Sequence, residues 1–436
     1  MWYYSEMHNP DFLPYRRGKR RWGLLLLAAF TVLAILGLAL FQIPRINRAV
    51  TWRMDIALTY ARMLLHPVSK LPTPAVSVQS GGVLATETPL PATETPEPTA
   101  TPLYTPTPTL VPTPLPERVQ LTPPAYDETS DKQDWNNCGP ATLALYLRYY
   151  GWKGDQFDIS DVIKPTKDDR NVNVDELVYY VRTQSGWLNA EFRVGGDLDT
   201  LKKLIAAGVP VMIEETFKTD RQYWPDDDRW AGHYLLVTGY DDAAQQFTVH
   251  DSEIGPNQKI PYAELDKNWQ SFNRVYIMAF PAEMQSTLES VLGENWDVET
   301  NRQNTLKASE QETISDPENA FAWFNYGTNL TYFERYNDAA SAYDTARTIG
   351  LPGRMLRYQF GPFISYFHSL RTDDLMALTK FALEITRTSE EAMLWRGWGF
   401  YRQGNKEDAL NLFRAALKIQ PEYQDAFYAI DYVTNN

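Results

Sequence analysis

Apolar and polar positions alternate in four distinct ways along the chain. From Trp22 to Ile43 (WGLLLLAAFTVLAILGLALFQI) the sequence is apolar and carries no charge, and about 20 such residues let a helix cross a bilayer. The stretch VTWRMDIALTYARMLLH that follows, within residues 44–70, is amphipathic. That pattern suits a helix on the membrane surface and equally a prolongation of the span. From Leu71 to Pro124 all periodicity disappears into repeated TP, TETP and TPTP units. Such a segment cannot offset its chain entropy by burial, and proline keeps it extended. It is expected to be disordered and to space the following domains from the membrane, with the composition of a glycosylated stalk.

Ordered patterning resumes near Tyr126 and defines a domain over residues 125–284. ATLALYLRYYGW (141–152), DELVYYVRTQSG (175–186) and LDTLKKLIAAG (198–208) have apolar residues at helical spacing and reach a glycine near or at the end. VPVMIEETF (209–217), HYLLVTGY (233–240) and FTVHDS (247–252) are short and rich in β-branched or aromatic residues, which predicts strands. Helices followed by an antiparallel sheet make this an α+β domain.

Beyond a connecting helical segment (285–315), residues 316–436 are helical and repetitive. Trp323, Gly327, Leu330, Ala339, Tyr343 and Ala346 share a spacing with Gly397, Phe400, Ala409, Phe413, Ala416 and Pro421. Leu375 and Ala382 mark a degenerate middle unit between them. This spacing resembles that of the tetratricopeptide repeat, in which small residues let paired helices pack and aromatics fill the gaps. It implies an all-α solenoid with a groove for a protein partner.

Charge sharpens the picture at the membrane. Arg16, Arg17, Lys19, Arg20 and Arg21 precede the apolar run, and Arg45, Arg48 and Arg53 are spread more thinly after it. The positive-inside rule then places the basic tail (1–21) in the cytoplasm and the C-terminal domains outside the cell, behind one uncleaved span over 22–43. Residues 1–70 hold ten Lys/Arg against three Asp/Glu; with a total of −14, the remainder carries −21. So acidic a body argues against a nucleic-acid partner.

The chain has one cysteine, which excludes an internal disulfide and a thiolate metal cluster. In QDWNNCGPATLALYL (133–147) that cysteine, Cys138, stands before Gly-Pro at the start of a helix. The positive end of the helix dipole favours a thiolate there, and proline fits the first turn. Gly139 would let a substrate backbone approach, and Gln133 could donate its side-chain amide to an oxyanion beside the Cys138 N–H. A thiolate nucleophile needs a base and an orienting group. His233 opens one strand and Asp251 closes the next; folding the DDAAQ loop about residue 242 sets them opposite each other, within two positions. His250, beside Asp251, should face the other way. His8, His66 and His368 fall outside this domain. Asp226, Asp227 and Asp228 suit a solvated turn or a basic substrate, and the Glu214–Glu215 pair takes no assignment.

QDWNNCGPATLAL, DRNVNVDELVYYVR and GHYLLVTGYDD…VHDS together resemble the bacterial double-glycine-leader (bacteriocin-processing) peptidase family and its peptidase-like relatives, over residues 116–282. The resemblance implies a papain-like cysteine peptidase fold, with Cys138 as nucleophile, His233 as general base, Asp251 as orienting acid and Gln133 in the oxyanion hole. It implies no cofactor and no metal. WQSFNRVYIMAF (269–280) is similar to the closing strand of such domains. The Gln-to-Cys separation is one residue shorter than in papain-type enzymes. One span and no phosphate-binding loop separate this chain from the transporter-fused leader processors. The expected function is hydrolysis of a peptide or amide through a Cys138 thioester. An idle peptide-binding module using the repeats, and thiol acyl transfer, are the alternatives.

Overall fold

A computed structural model describes residues 18–75, 114–166 and 172–436. Most of the basic tail, the bulk of the Thr/Pro segment and the first residues of DRNVNVDELVYYVR lie outside the described residues. The chain divides after Thr59 into two compact units.

In the first unit, helix α1 (Gly18–Phe41) contains the one helix segment, Trp22–Phe41, that is long and apolar enough to cross a membrane among the described residues. Its apolar side chains are exposed. Helix α2 (Pro44–Leu65) starts two residues later. Its first residue is proline, which lacks an N–H to continue a helix but suits a first turn. The amphipathic stretch is therefore a helix of its own rather than a prolongation of α1.

The second unit begins with a seven-stranded antiparallel sheet and its helices. In chain order these are β1 (Arg118–Gln120), α3 (Cys138–Tyr149), α4 (Gln156–Ile163), α5 (Val174–Gln184), β2 (Leu188–Arg193), α6 (Leu198–Ala206), β3 (Val211–Lys218), β4 (Trp230–Asp241), β5 (Gln246–Asp251), β6 (Gly255–Pro261), α7 (Tyr262–Trp269), β7 (Tyr276–Pro281) and α8 (Gln285–Leu292). Strand order is β2-β7-β3-β4-β5-β6, with β1 pairing on β4. Alternation along the strands divides two cores. Met212, Leu236, Ile277 and Ala279 pack under α3, α4 and α5. Val211, Ile213, Leu235, Val237, Met278 and Phe280 pack under α6, α7 and α8. The α+β expectation holds, with helices on both faces.

Two boundaries differ from the sequence reading. The expected closing strand is strand only from Tyr276; Trp269 ends α7, and Gln270–Phe272 is a 3₁₀ turn. The expected linker is ordered at both ends. Arg118, Val119 and Gln120 pair with Asp241, Tyr240 and Gly239. At the other end Ala75 N–H donates to Asp374 (3.0 Å), the Pro72 carbonyl accepts from Arg347 (2.6 Å), and Val68 and Leu71 pack on the repeat core. Proline-rich composition misled here because a few backbone bonds suffice to seat an extended chain.

The repeats follow: α9 (Val298–Ser315), α10 (Ala320–Tyr332), α11 (Tyr336–Ile349), α12 (Gly361–His368), α13 (Thr372–Ile385), α14 (Glu390–Arg402), α15 (Lys406–Ile419) and α16 (Gln424–Asn435). Helices α10/α11, α12/α13 and α14/α15 are the three expected pairs. Leu375 and Ala382 are buried in the middle one, whose first helix is only eight residues long. A side chain at Gly327 would meet the Tyr343 ring at 2.8 Å, and one at Gly397 the Phe413 ring at 2.4 Å. Smallness at these positions is what allows the paired helices to close.

Sheet domain and repeats meet through a shared apolar cluster, in which Trp230 and Phe272 pack on Phe321 and Tyr358, and through polar groups. Helix α9 presents Asn301 and Thr305, one turn apart, to the Val194 backbone, and Ser309 to Asn329 (3.0 Å). Asn273 and Asn329 exchange side-chain amide bonds at 2.9 and 3.2 Å. Gln270 O accepts from Asn325 (2.7 Å). Arg354, in the 3₁₀ turn Gly353–Arg357 between α11 and α12, forms a bidentate pair with Asp227 at 2.6 and 2.8 Å. Asp227 is thus neither a solvated turn residue nor a substrate contact.

Gly327→Val should destabilise the second unit by about 1–3 kcal/mol, because the added bulk overpacks the Tyr343 ring. Urea denaturation followed by tryptophan fluorescence would measure it. An unchanged midpoint would contradict the packing described.

Candidate active site

Cys138 is the first residue of α3 and is partly exposed. The Asn137 side chain makes no cap on the helix; it turns away and donates to Gln156 Oε1 (2.8 Å). The positive end of α3 is therefore left facing the thiol. Gln156 also accepts from Asp134 N–H (2.8 Å), so α4 holds the turn that leads into the cysteine. Gly139 is buried, and a side chain there would touch Tyr234 and Val172 at 3.4 Å.

His233 lies on β4, only 2% exposed. Its Nε2 is 2.9 Å from Asp251 Oδ1, and the ring and the Cys138 thiol interact closely enough to shift each other's ionisation. With Nε2 occupied, Nδ1 is the nitrogen that serves the sulfur. Asp251 Oδ1 further accepts the N–H groups of Glu253 (2.7 Å) and Ile254 (3.1 Å). The register sets Asp251 opposite Leu235, two residues from His233 on the same sheet face. That is within the margin of the hairpin estimate.

Electrostatics follow from these partners. Burial lowers the His233 pKa, but the hydrogen bonds to Asp251 and Cys138 and their charges outweigh it and push it up to about 10. Burial would raise the Cys138 thiol; the His233 hydrogen bond and charge, the Tyr234 N–H and the charge of Lys164 hold it below its ordinary value. Burial also opposes ionisation of Asp251, yet His233 and the two backbone N–H groups keep it below the usual carboxylate range. The arrangement favours a thiolate–imidazolium pair.

Gln133 is tied to the end of β5. Its N–H donates to Ser252 O (2.9 Å), and its Oε1 accepts from Ser252 Oγ (2.8 Å). Thr142, one turn along α3, bonds the Tyr234 carbonyl (3.1 Å) and lies 3.5 Å from Ser252 Oγ. With its oxygen held, Gln133 has its Nε2 as the donor end. All four singled-out residues therefore converge on one end of the β4–β5 pair and the start of α3.

His250 faces Leu236 on the opposite side of the sheet, and neither ring nitrogen has a hydrogen-bond partner; burial lowers its pKa. It is outside the cluster, as the strand alternation requires. Glu214 and Glu215 are both buried. Burial, then the Cys138 charge, raises Glu214 well above the carboxylate range despite a bond to Tyr234. Glu215, paired with His233 across the strands, is pushed up to about 8, chiefly by burial. Burial thus disfavours the charged form of both and lessens their repulsion of the thiolate. Sequence reasoning missed Ser252, Tyr234 and Lys164. Ser252 and Tyr234 adjoin Asp251 and His233 in sequence, which was the signal to follow; Lys164 gave none.

Residues 116–277 match the Peptidase_C39 like family and residues 390–423 the tetratricopeptide repeat. No curated protein matches the chain. Among solved structures it is similar to a C39-like peptidase from Bacillus anthracis, at 17% identity over 38% of this chain and 98% of that one, with a TM-score of 0.30. It is also similar to xylellain, a cysteine protease from Xylella fastidiosa, at 16% identity over 38% and 85% of the two chains, TM-score 0.29. A third is YrrB, a TPR protein described as having an unusual peptide-binding site, at 17% identity over 33% and 87%, TM-score 0.18. Within this chain, then, a domain matching the C39-like cysteine peptidase family precedes helical tetratricopeptide-type repeats.

Proposed function

We propose that the protein is a membrane-anchored cysteine peptidase that hydrolyses a peptide or related amide bond through a thioester at Cys138. The observation that carries this reading is the His233–Asp251 hydrogen bond beside Cys138 at a helix N-terminus, with the ring and the thiol coupled electrostatically. The Cys138 thiolate attacks the scissile carbonyl carbon, and the carbonyl oxygen takes the negative charge. The Cys138 N–H and Gln133 Nε2 are the donors assigned to that oxyanion. The His233 imidazolium gives its Nδ1 proton to the departing amine as the C–N bond breaks, leaving a thioester. His233 then accepts a proton from water, which attacks the thioester and regenerates the thiolate. Asp251 keeps the ring oriented and stabilises its positive form.

The apolar segment Trp22–Phe41 supports anchoring, and the basic residues before it in the sequence support a cytoplasmic N-terminus with the catalytic domain outside. The helical repeats support a protein or peptide partner, since stacked helix pairs present extended binding surfaces.

Cys138→Ala should abolish cleavage of a degenerate peptide library read by mass spectrometry. Gln133→Ala should lower kcat by about 10²–10³, as for a lost oxyanion donor. Cleavage that survives Cys138→Ala would refute the assignment.

The thiol should also titrate abnormally. A lowered thiol pKa means that alkylation by iodoacetamide slows only once the pH falls below that lowered value, so Cys138 should react faster than an unperturbed thiol at any pH below the ordinary thiol range. His233→Ala should move the midpoint of the rate–pH curve upward, toward the ordinary thiol value of about 8.5. Identical curves for the two proteins would rule out the ion pair.

A further inference from the structure

The turn Gly353–Arg357 of the repeats carries two arginines that reach different parts of the sheet domain. Arg357 donates to Asn136 Oδ1 at 3.0 Å. Asn136 stands two residues before Cys138 and has φ +55°, a left-handed conformation that asparagine tolerates at some cost. Its carbonyl is held by Lys164 Nζ at 2.7 Å. The bend that delivers the chain into α3 is thus fixed by a side chain of the repeats on one side and by Lys164 on the other.

Arg354 grips the loop before His233. Besides pairing with Asp227 it donates to the Trp230 carbonyl (2.9 Å) and lies over the Trp224 ring at 4.2 Å. Asp227 in turn accepts the N–H groups of Tyr223 (2.8 Å) and Arg229 (3.0 Å), which sets the loop's shape. Trp230 starts β4 three residues before His233, and its ring stacks on Phe272 at 5.7 Å. The loop returns to the cysteine side through Tyr223, whose ring is 5.6 Å from that of Trp135. One short turn therefore touches the chain leading into the nucleophile and the chain leading into the base.

We propose that the Gly353–Arg357 turn is a positioning element of the site, with Arg357 setting the bend before Cys138 through Asn136 and Arg354 setting the loop before His233 through Asp227. The repeats are on this account part of the catalytic apparatus as well as a surface for partners. The inference rests on the reading of Cys138 and His233 as nucleophile and base. Neither arginine is a catalytic residue; each acts through the backbone it holds.

The test is the rate of Cys138 alkylation by iodoacetamide against pH, in the full chain in detergent. Arg357→Ala removes the contact together with a positive charge. Asn136→Gly removes the same contact, keeps the charge, and suits the left-handed backbone, so the fold should survive. Each should slow alkylation at about pH 6, below the ordinary thiol range, by about tenfold, near the lower end of what one hydrogen bond to a charged group is worth. The double variant should be no slower than either single one, because both lose one shared contact. Arg357→Lys should recover part of the rate, and Arg335→Ala, on an exposed ion pair of the repeats, should leave the curve unchanged. Wild-type curves in Arg357→Ala and Asn136→Gly would overturn the positioning role while leaving the nucleophile assignment intact. An ordinary thiol curve in the wild-type protein would instead overturn that assignment, and this inference with it.

Discussion

A single extra residue in β4 decides which side chain of β5 faces His233. From Asp241 to Gly239 the strand pairs in one register, and from Val237 onward in another, with Thr238 left over as a bulge. Without that bulge Asp251 would lie opposite Leu236, on the face of α3, and Ser252 would take its place opposite Leu235. A one-residue slip exchanges the two faces of a strand. The bulge is stabilised from outside the hairpin. The Thr238 carbonyl accepts from Leu121 N–H (2.8 Å) and Gln120 Nε2 (3.3 Å), and a side chain at Gly239 would collide with Val119 O at 2.7 Å. The short strand Arg118–Gln120 thus secures the hydrogen bond on which the charge of His233 depends.

Everything else at the site follows from having that charge under cover. A buried imidazolium is costly unless anionic groups face it, and breaking such a pair from one side leaves an uncompensated charge. Asp251 and the Cys138 thiolate supply the two anions, one for each ring nitrogen. A third and a fourth negative charge would stabilise the imidazolium further but would repel the thiolate. Burial opposes this by raising both Glu214 and Glu215 above the ordinary carboxylate range. The charge balance is set by which carboxylates meet N–H donors, as Asp251 does at Glu253 and Ile254.

The elements and the site residues were legible in the sequence to different depths. Helix starts with acidic residues, β-branched runs and the ordering of Gln133, Cys138, His233 and Asp251 could be read because each is a local pattern. The hairpin register was readable only to two positions, since nothing in HYLLVTGY marks Thr238 as an extra residue. Strand β2 (LNAEFR) escaped because its central residues alternate weakly, and β1 because prolines surround it. The contacts of Arg354 and Arg357 lie more than a hundred residues away in sequence, at Asp227 and Asn136. No periodicity or motif couples positions that far apart. The three consecutive aspartates looked like a solvated turn because only tertiary packing distinguishes the buried middle one from its exposed neighbours.

The Thr/Pro segment changes meaning once its flanks are seen. If it were a spacer, its N-terminal flank would leave the membrane-proximal helix and its C-terminal flank would be the first part of the chain to meet the folded body. Instead residues 68–75 already lie on the repeats, where Arg347 and Asp374 bind their backbone. The other flank closes on β4 through Arg118–Gln120. Both ends of the segment therefore belong to one unit, and the covalent route from α1 to that unit runs through α2 and residues 66–75. Composition predicted an extended chain, which proline enforces locally, but what such a chain separates depends on where its flanks attach. On that ground both described flanks of the segment attach to the second unit, and the chain reaches α1 through α2 and residues 66–75.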